Sequence, residues 1–176
     1  DEGDGSLETP FSSIQFALNI VNENDTVYVA EGTYIENIVW PAINGIRLIG
    51  ETRETTIIDG GENGSVVVFE NGETGQTLLS GFTIRNGSAE GSISYGGGIY
   101  LNNSSAPTLE NLIITDNNAS YGGGIYSKPG SDNALIKNVI ISNNTASVHG
   151  GGCDFFSSVI LENVLITGNS AISGGG

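Results

Sequence analysis

Positive charge is scarce in this sequence. Only five of its 176 residues are basic, Arg47, Arg53, Arg85, Lys128 and Lys137, against 20 acidic ones, for a formal net charge of −15. Five scattered cations cannot neutralise a run of phosphates, so no nucleic acid partner is expected. An anionic polysaccharide or membrane surface would also be repelled at long range. Cysteine occurs once, as Cys153, which excludes an intrachain disulfide. No apolar run reaches 18 residues, so no membrane insertion is expected. Methionine is absent, no signal peptide stands at the start, and the chain stops at Ser173-Gly174-Gly175-Gly176 in mid-phrase. The chain therefore reads as a trimmed piece of a longer protein, with a truncated C-terminus.

Charged residues of both signs make up 14%, against roughly 25% in ordinary soluble domains. Their place is taken by Asn, Ser, Thr and 27 glycines, the residues of turns. With 38% hydrophobic residues the chain still has the means to build a core. That composition suits many short strands joined by tight corners and leaves little room for helix. Fourteen of the 20 acids lie before Gln76, so the second half is much the more neutral.

That second half repeats itself. Leu109-Glu110-Asn111-Leu112, Ile136-Lys137-Asn138-Val139 and Leu161-Glu162-Asn163-Val164 align, with Leu79-Ser80-Gly81-Phe82 as a degenerate first copy. Three residues beyond the Asn stand Ile84, Ile114, Ile141 and Ile166; six beyond it stand Gly87, Asn117, Asn144 and Asn169; eight beyond it is always alanine. Glycine triplets follow at 96–98, 122–124, 150–152 and 174–176, and the period runs 30, 27, then 25. The differences in length fall just before the triplet, as at residues 90–94, and just after it.

A fixed frame with elastic loops describes the stacked coils of a solenoid. Apolar residues two apart, interrupted by Asn and Gly, exclude a helical repeat and indicate short strands broken by corners. Stacking puts equivalent positions ~4.8 Å apart. The isoleucines then form an internal aliphatic column. Asn111, Asn138 and Asn163 form one amide ladder, and Asn117, Asn144 and Asn169 a second. Asparagine also accepts a left-handed corner better than most residues. Three glycines in a row carry an entropic cost, which predicts a corner where the coil turns sharply or its wall is thin.

Residues 23–78 follow the same logic irregularly, with strand candidates at 27–29, 46–49, 56–58 and 66–69. Ahead of them, Thr9 and Pro10 read as an N-cap and first helical residue, and Phe11, Ile14, Ala17, Leu18 and Val21 share a face. This predicts a helix over 9–22 that covers the open end of the stack.

The pattern resembles the right-handed parallel β-helix of the pectin-lyase-like superfamily. The resemblance is carried by S-I-Q-F-A-L (13–18), N-D-T-V-Y-V-A-E-G-T-Y-I-E-N-I (24–38) and T-T-I-I-D-G (55–60). The G-G-G-I-Y and I-S-N-N phrases are similar to repeats of secreted bacterial β-helix proteins, among them polymorphic outer-membrane adhesins. The resemblance covers nearly the whole chain and implies one all-β domain over 1–176. This is a right-handed parallel β-helix of about six coils with an N-terminal capping helix, and 79–176 are its regular part. It says little about activity, because the fold carries lyases, hydrolases, esterases, adhesins and passive stalks.

Pectate lyases of that superfamily use calcium on clustered carboxylates with a basic residue as base. Here Arg85, Lys128 and Lys137 fall at unrelated repeat positions. Cys153-Asp154-Phe155-Phe156 resembles the V-D-F-I-F-G stretch of pectin methylesterases, but the later arginine that family needs does not follow. No catalytic residue is therefore expected.

By strand alternation Tyr100 and Tyr126 point outward and stack, one coil apart, with Asp154 next in line. Such a row would grip a sugar ring, with Asp154 as hydroxyl acceptor; the alternative is cross-strand packing that only stabilises the sheet. Tyr95, Tyr121 and His149 form a second surface column. Cys153 aligns with Ile99 and Ile125 and should behave as a small buried hydrophobe. No cofactor and no metal site are expected, beyond an adventitious calcium ion at turn acids such as Asp59, Asp116 or Asp132.

The expected role is a non-catalytic, secreted or cell-surface module, adhesin-like or carbohydrate-contacting. Its partner would be a polysaccharide or cell-surface glycan, with end-to-end self-association through the last coil. The alternatives are the N-terminal part of a polysaccharide lyase or hydrolase whose active site lies beyond residue 176, and a passive spacer.

Overall fold

The computed structural model describes residues 2–89, 91 and 94–176. Of the stretch 90–94 that precedes the first triplet, only Gly91 and Ser94 are among the described residues. The chain forms an all-β parallel solenoid. Its strands are two to five residues long, and every strand pair among the described residues is parallel apart from an isolated bridge between Gly64 and Ser88.

Two sheets are six strands deep. One stacks Thr26–Val29, Arg47–Gly50, Leu78–Ser80, Thr108–Glu110, Leu135–Lys137 and Ile160–Glu162. The other stacks Gly32–Ile35, Thr56–Asp59, Thr83–Arg85, Ile113–Thr115, Ile140–Ser142 and Leu165–Thr167. A five-stranded sheet runs through Ile38–Val39, Val67–Phe69, Ile99–Leu101, Ile125–Ser127 and Cys153–Phe155. A three-stranded one holds Asn118–Tyr121, Thr145–His149 and Ser170–Ser173. Six stacked strands are joined by five steps, so the expected stack of about six coils makes about five turns.

In the regular coils, a left-handed residue ends each strand of the two six-stranded sheets. Asn111, Asn138 and Asn163 have φ of 52°, 55° and 52°, and Gly81 takes the same corner at 81°. The next corner uses Asn86, Asp116, Asn143 and Gly168, again at positive φ. Between these corners the side chains alternate strictly. Ile84, Ile114, Ile141 and Ile166 lie in register over one another, and the column extends up to Ile58. A parallel column runs Leu48, Leu79, Leu109, Ile136, Leu161. A third runs Ile38, Val67, Ile99, Ile125, Cys153. The interior members of these columns are fully buried, each contributing roughly 1.5–3 kcal/mol. In the outermost coil Leu161 and Leu165 are half-exposed and Ile172 almost wholly so.

The two asparagine columns differ. Asn117 and Asn144 are buried, and each amide is saturated. Asn117 Nδ2 donates to Asn144 Oδ1 at 2.9 Å and Asn144 Nδ2 to Asn169 Oδ1 at 3.0 Å. The backbone N–H groups of Asn117 and Asn144 donate to the same two oxygens. Gly87, which lacks the amide, begins the ladder by donating its N–H to Asn117 Oδ1. The Asn111 column sits at the surface and carries one amide link, Asn163 Nδ2 to Asn138 Oδ1 at 2.8 Å. It is a column of corners held by backbone conformation. The ladder expected there is confined to that single bond.

The capping helix is shorter than predicted, Ile14–Leu18. Thr9 does not cap it. The Thr9 hydroxyl donates to Asp4 Oδ1 at 2.6 Å and its carbonyl accepts from Asp4 and Gly5. The Thr9 hydroxyl, then the Ser6 N–H and hydroxyl, hold the Asp4 carboxyl down at about 2. Ser13 is the N-cap, and the Glu36 carboxylate accepts from the Ser13 hydroxyl and the N–H groups of Ile14 and Gln15, each at 2.9 Å. The N–H groups of Ile14 and Gln15 lie in the first turn, where a helix supplies no acceptor of its own. Ile14, Ala17 and Leu18 are buried. No helix among the described residues is long and apolar enough to cross a membrane.

Candidate functional site

The glycine triplets build the site. Gly96, Gly122 and Gly150 have φ near +60°. A Cβ on Gly122 would lie 2.8 Å from the Tyr126 Cβ, and one on Gly150 would lie 2.6 Å from the Asp154 Cβ. The chain thus doubles back so tightly that the residue before each triplet reaches the face of the residue five positions later. The third glycine has a separate reason: a Cβ on Gly98 would meet the carbonyl oxygen of Gly124 at 2.6 Å and Ile114 at 2.9 Å. Both readings of the triplet hold, a sharp corner at its first residue and a thin wall at its last.

The turn merges what the sequence presents as two columns. Tyr95 lies against Tyr100 with ring centroids 6.0 Å apart and planes 24° from parallel. It also packs diagonally on Tyr126, at 4.6 Å. Tyr121 follows Tyr95 at 5.6 Å and His149 follows Tyr121 at 5.7 Å. Phe156 closes the patch against Tyr126 at 5.8 Å.

Tyr100, Tyr126 and Asp154 do stand in register on the same sheet. Ile99, Leu101, Ile125 and Ser127 on either side of the two tyrosines are fully buried. The two rings do not form a flat pair, however: their centroids are 5.8 Å apart and their planes cross at 57°. Tyr126 is only 6% exposed. Tyr95 and Phe156 pack on it, and the surface open to a partner belongs to Tyr95, Tyr100, Tyr121, His149 and Phe156. Phe156 had no signal in the repeat, because its equivalent one coil earlier is Lys128.

Burial sets the chemistry. It pushes the Tyr126 phenol up to about 12, with Tyr95 and the Asp154 carboxylate adding to the effect. Tyr100 is raised by burial, then by Tyr95 and Glu70. Burial raises the Asp154 carboxyl as well, opposed by His149. Asp154 Oδ2 is out of contact with solvent and has no hydrogen-bond partner among the described residues. Burial, then the charge of Asp154, pushes the Cys153 thiol up to about 12, so it sits in the aliphatic column as a protonated, unreactive group.

Arg53, Arg85 and Lys137 are engaged away from the patch, and Lys128 is exposed. Arg85 Nε donates to Asp59 Oδ2 at 2.8 Å. Arg53 pairs with Glu54 and donates to the carbonyl oxygen of Asn138 at 3.3 Å. Lys137 lies 3.8 Å from Glu110. Arg53 spans a groove of about 850 Å³ lined by Glu110, Asn111, Asn138 and Asn163, which contains no aromatic ring.

Among the described residues no three His, Cys, Asp or Glu side chains gather as metal ligands. Asp59 accepts from Arg85, Asn86 and the Gly61 N–H. Asp116 accepts from Thr115 and Asp132 from the Ser158 N–H.

Neither the protein-family models nor the curated proteins contain a match to this chain.

Proposed function

We propose that the chain is a non-catalytic solenoid module of an extracellular or cell-surface protein, and that its aromatic face contacts a glycan. The observation that carries the reading is the continuous patch of Tyr95, Tyr100, Tyr121 and Phe156 around the Asp154 carboxylate. Aromatic faces cover the C–H surface of a sugar ring, and a carboxylate beside them accepts its hydroxyls. Rigid strands fix the patch, so little ordering is needed on binding.

The engagement of Arg85, Arg53 and Lys137 supports the non-catalytic part, since a lyase needs a free base and an esterase-like Asp154 needs an arginine to hold it. A parallel solenoid whose equivalent positions repeat also suits a surface protein that presents a long flank.

A glycan array probed with the chain tests the reading. Binding that drops at least tenfold in Tyr95→Ala and Tyr100→Ala, with the unfolding transition retained, is the expected result. No signal for any glycan at high micromolar protein would overturn it.

A further inference from the structure

Asp154 makes the aromatic face selective as well as adhesive. Resting on the glycan reading above, we infer that this face takes an uncharged sugar and rejects a uronate, with the Asp154 carboxylate, through its more open oxygen, as the acceptor for one of the sugar's hydroxyls.

Three observations converge on this. First, Asp154 Oδ2 is shielded from water yet unpartnered among the described residues, although a carboxylate oxygen can accept two hydrogen bonds. Such an atom carries an unrelieved desolvation cost. The carboxylate thus holds its charge at the edge of the rings with little relief, and its more open oxygen can accept from a hydroxyl, whereas a second carboxylate has no hydrogen to give and would add like-charge repulsion.

Second, the charged side chains that act on Tyr100 and Tyr126 are carboxylates. Glu70 acts on Tyr100 from its end of the row and Asp154 on Tyr126 from the other. The group that opposes burial at Asp154 is His149. Lys128 follows the strand of Tyr126, is exposed, and does not contribute to the titration of Asp154, Tyr100 or Tyr126. Arg85 is held by Asp59. A uronate placed on these rings would find no bidentate partner.

Third, the net charge of −15 repels a polyanion before contact is made. The face therefore discriminates at two ranges. The whole chain slows the approach of an acidic polymer, and Asp154 penalises an acidic residue once it is seated.

The test is a titration followed by ¹H–¹⁵N NMR with oligosaccharides of equal length. One set is neutral (cello-, xylo-, manno- and galacto-tetraose) and the other is uronate-bearing (tetragalacturonate and its fully methyl-esterified form). The expected result is that at least one neutral sugar perturbs Tyr95, Tyr100 and Tyr121. Its affinity should be at least tenfold above that of tetragalacturonate, with the methyl ester intermediate or better.

Asp154→Asn, which removes the charge and keeps the shape, should shrink the ratio of neutral to uronate affinity. Raising salt from 20 to 500 mM should shrink it in the unaltered chain as well, a readout that needs no variant. Equal or tighter binding of tetragalacturonate overturns the selectivity and leaves glycan contact standing. Discrimination that Asp154→Asn and salt leave unchanged overturns the role of Asp154. Binding of neither set overturns the glycan reading and this inference together.

Discussion

Asn117 Nδ2 donates to Asn144 Oδ1 at 2.9 Å, although 27 residues of chain separate the two positions. The same oxygen accepts the Asn117 backbone N–H at 3.0 Å, and Asn144 Nδ2 also reaches the Ile114 carbonyl at 2.9 Å. One side chain thus ties the corner of its own coil to the coils on both sides.

Replacing Asn144 with Ala should accordingly cost about 3 kcal/mol, because it leaves the buried Asn117 N–H without this acceptor and strips a donor from Ile114. Asn138→Gly, at a part-exposed corner with φ of 55°, should change stability by less than about 1 kcal/mol. Urea unfolding followed by the fluorescence of Trp40, buried against Phe69 at 4.6 Å, measures both. Equal costs for the two variants would contradict the distinction between a ladder and a column of corners.

The middle glycine of each triplet should resist even one methyl group. A Cβ on Gly123 would approach the carbonyl oxygens of Thr145 and Gly151 more closely than 3.0 Å, and both belong to backbone that is already hydrogen-bonded. Gly123→Ala should lose about 2–3 kcal/mol through overpacking. Gly75→Ala meets nothing within 4 Å and should be neutral or slightly stabilising. Thermal melts of the pair decide the point, and a Gly123→Ala protein as stable as its parent would refute the thin-wall account.

Acid should weaken the fold at Asp59. Burial alone would raise this carboxyl, but the Gly61 N–H, Arg85 and Asn86 outweigh it and hold the group below its ordinary value. A carboxyl depressed in the folded state stabilises the fold above its unfolded pKa of about 3.9. That contribution disappears as the pH falls through the depressed value. Arg85→Gln should therefore be less stable than the parent at pH 7 by roughly 1–2 kcal/mol, since Arg85 is partly solvated. The gap should narrow as the pH falls below 4. A gap that stays constant down to pH 2 would exclude the ion pair as its cause.

The stacking of equivalent positions was legible in the residues themselves. In a parallel solenoid, aligning the repeats is the same operation as superposing the coils. The order Ile84, Ile114, Ile141, Ile166 read along the chain is therefore the order of contacts in space. The buried Asn117 ladder and the placement of Cys153 in an aliphatic column followed from that identity. The extent of the capping helix did not, because Thr9 is equally able to cap a helix and to close a loop onto Asp4. Only the Glu36 carboxylate, brought alongside by the first coil, selects Ser13 as the start.

The sequence by itself thus determined the coil, its columns and its corners, since these depend on period and residue type alone. The tertiary structure decided which surface is open. The glycine turn folds Tyr95 across to Tyr126, and Phe156 arrives at a position that one coil earlier holds Lys128. Such diagonal contacts depend on the angle of the turn and the twist between coils, quantities that no alignment of equivalent positions contains.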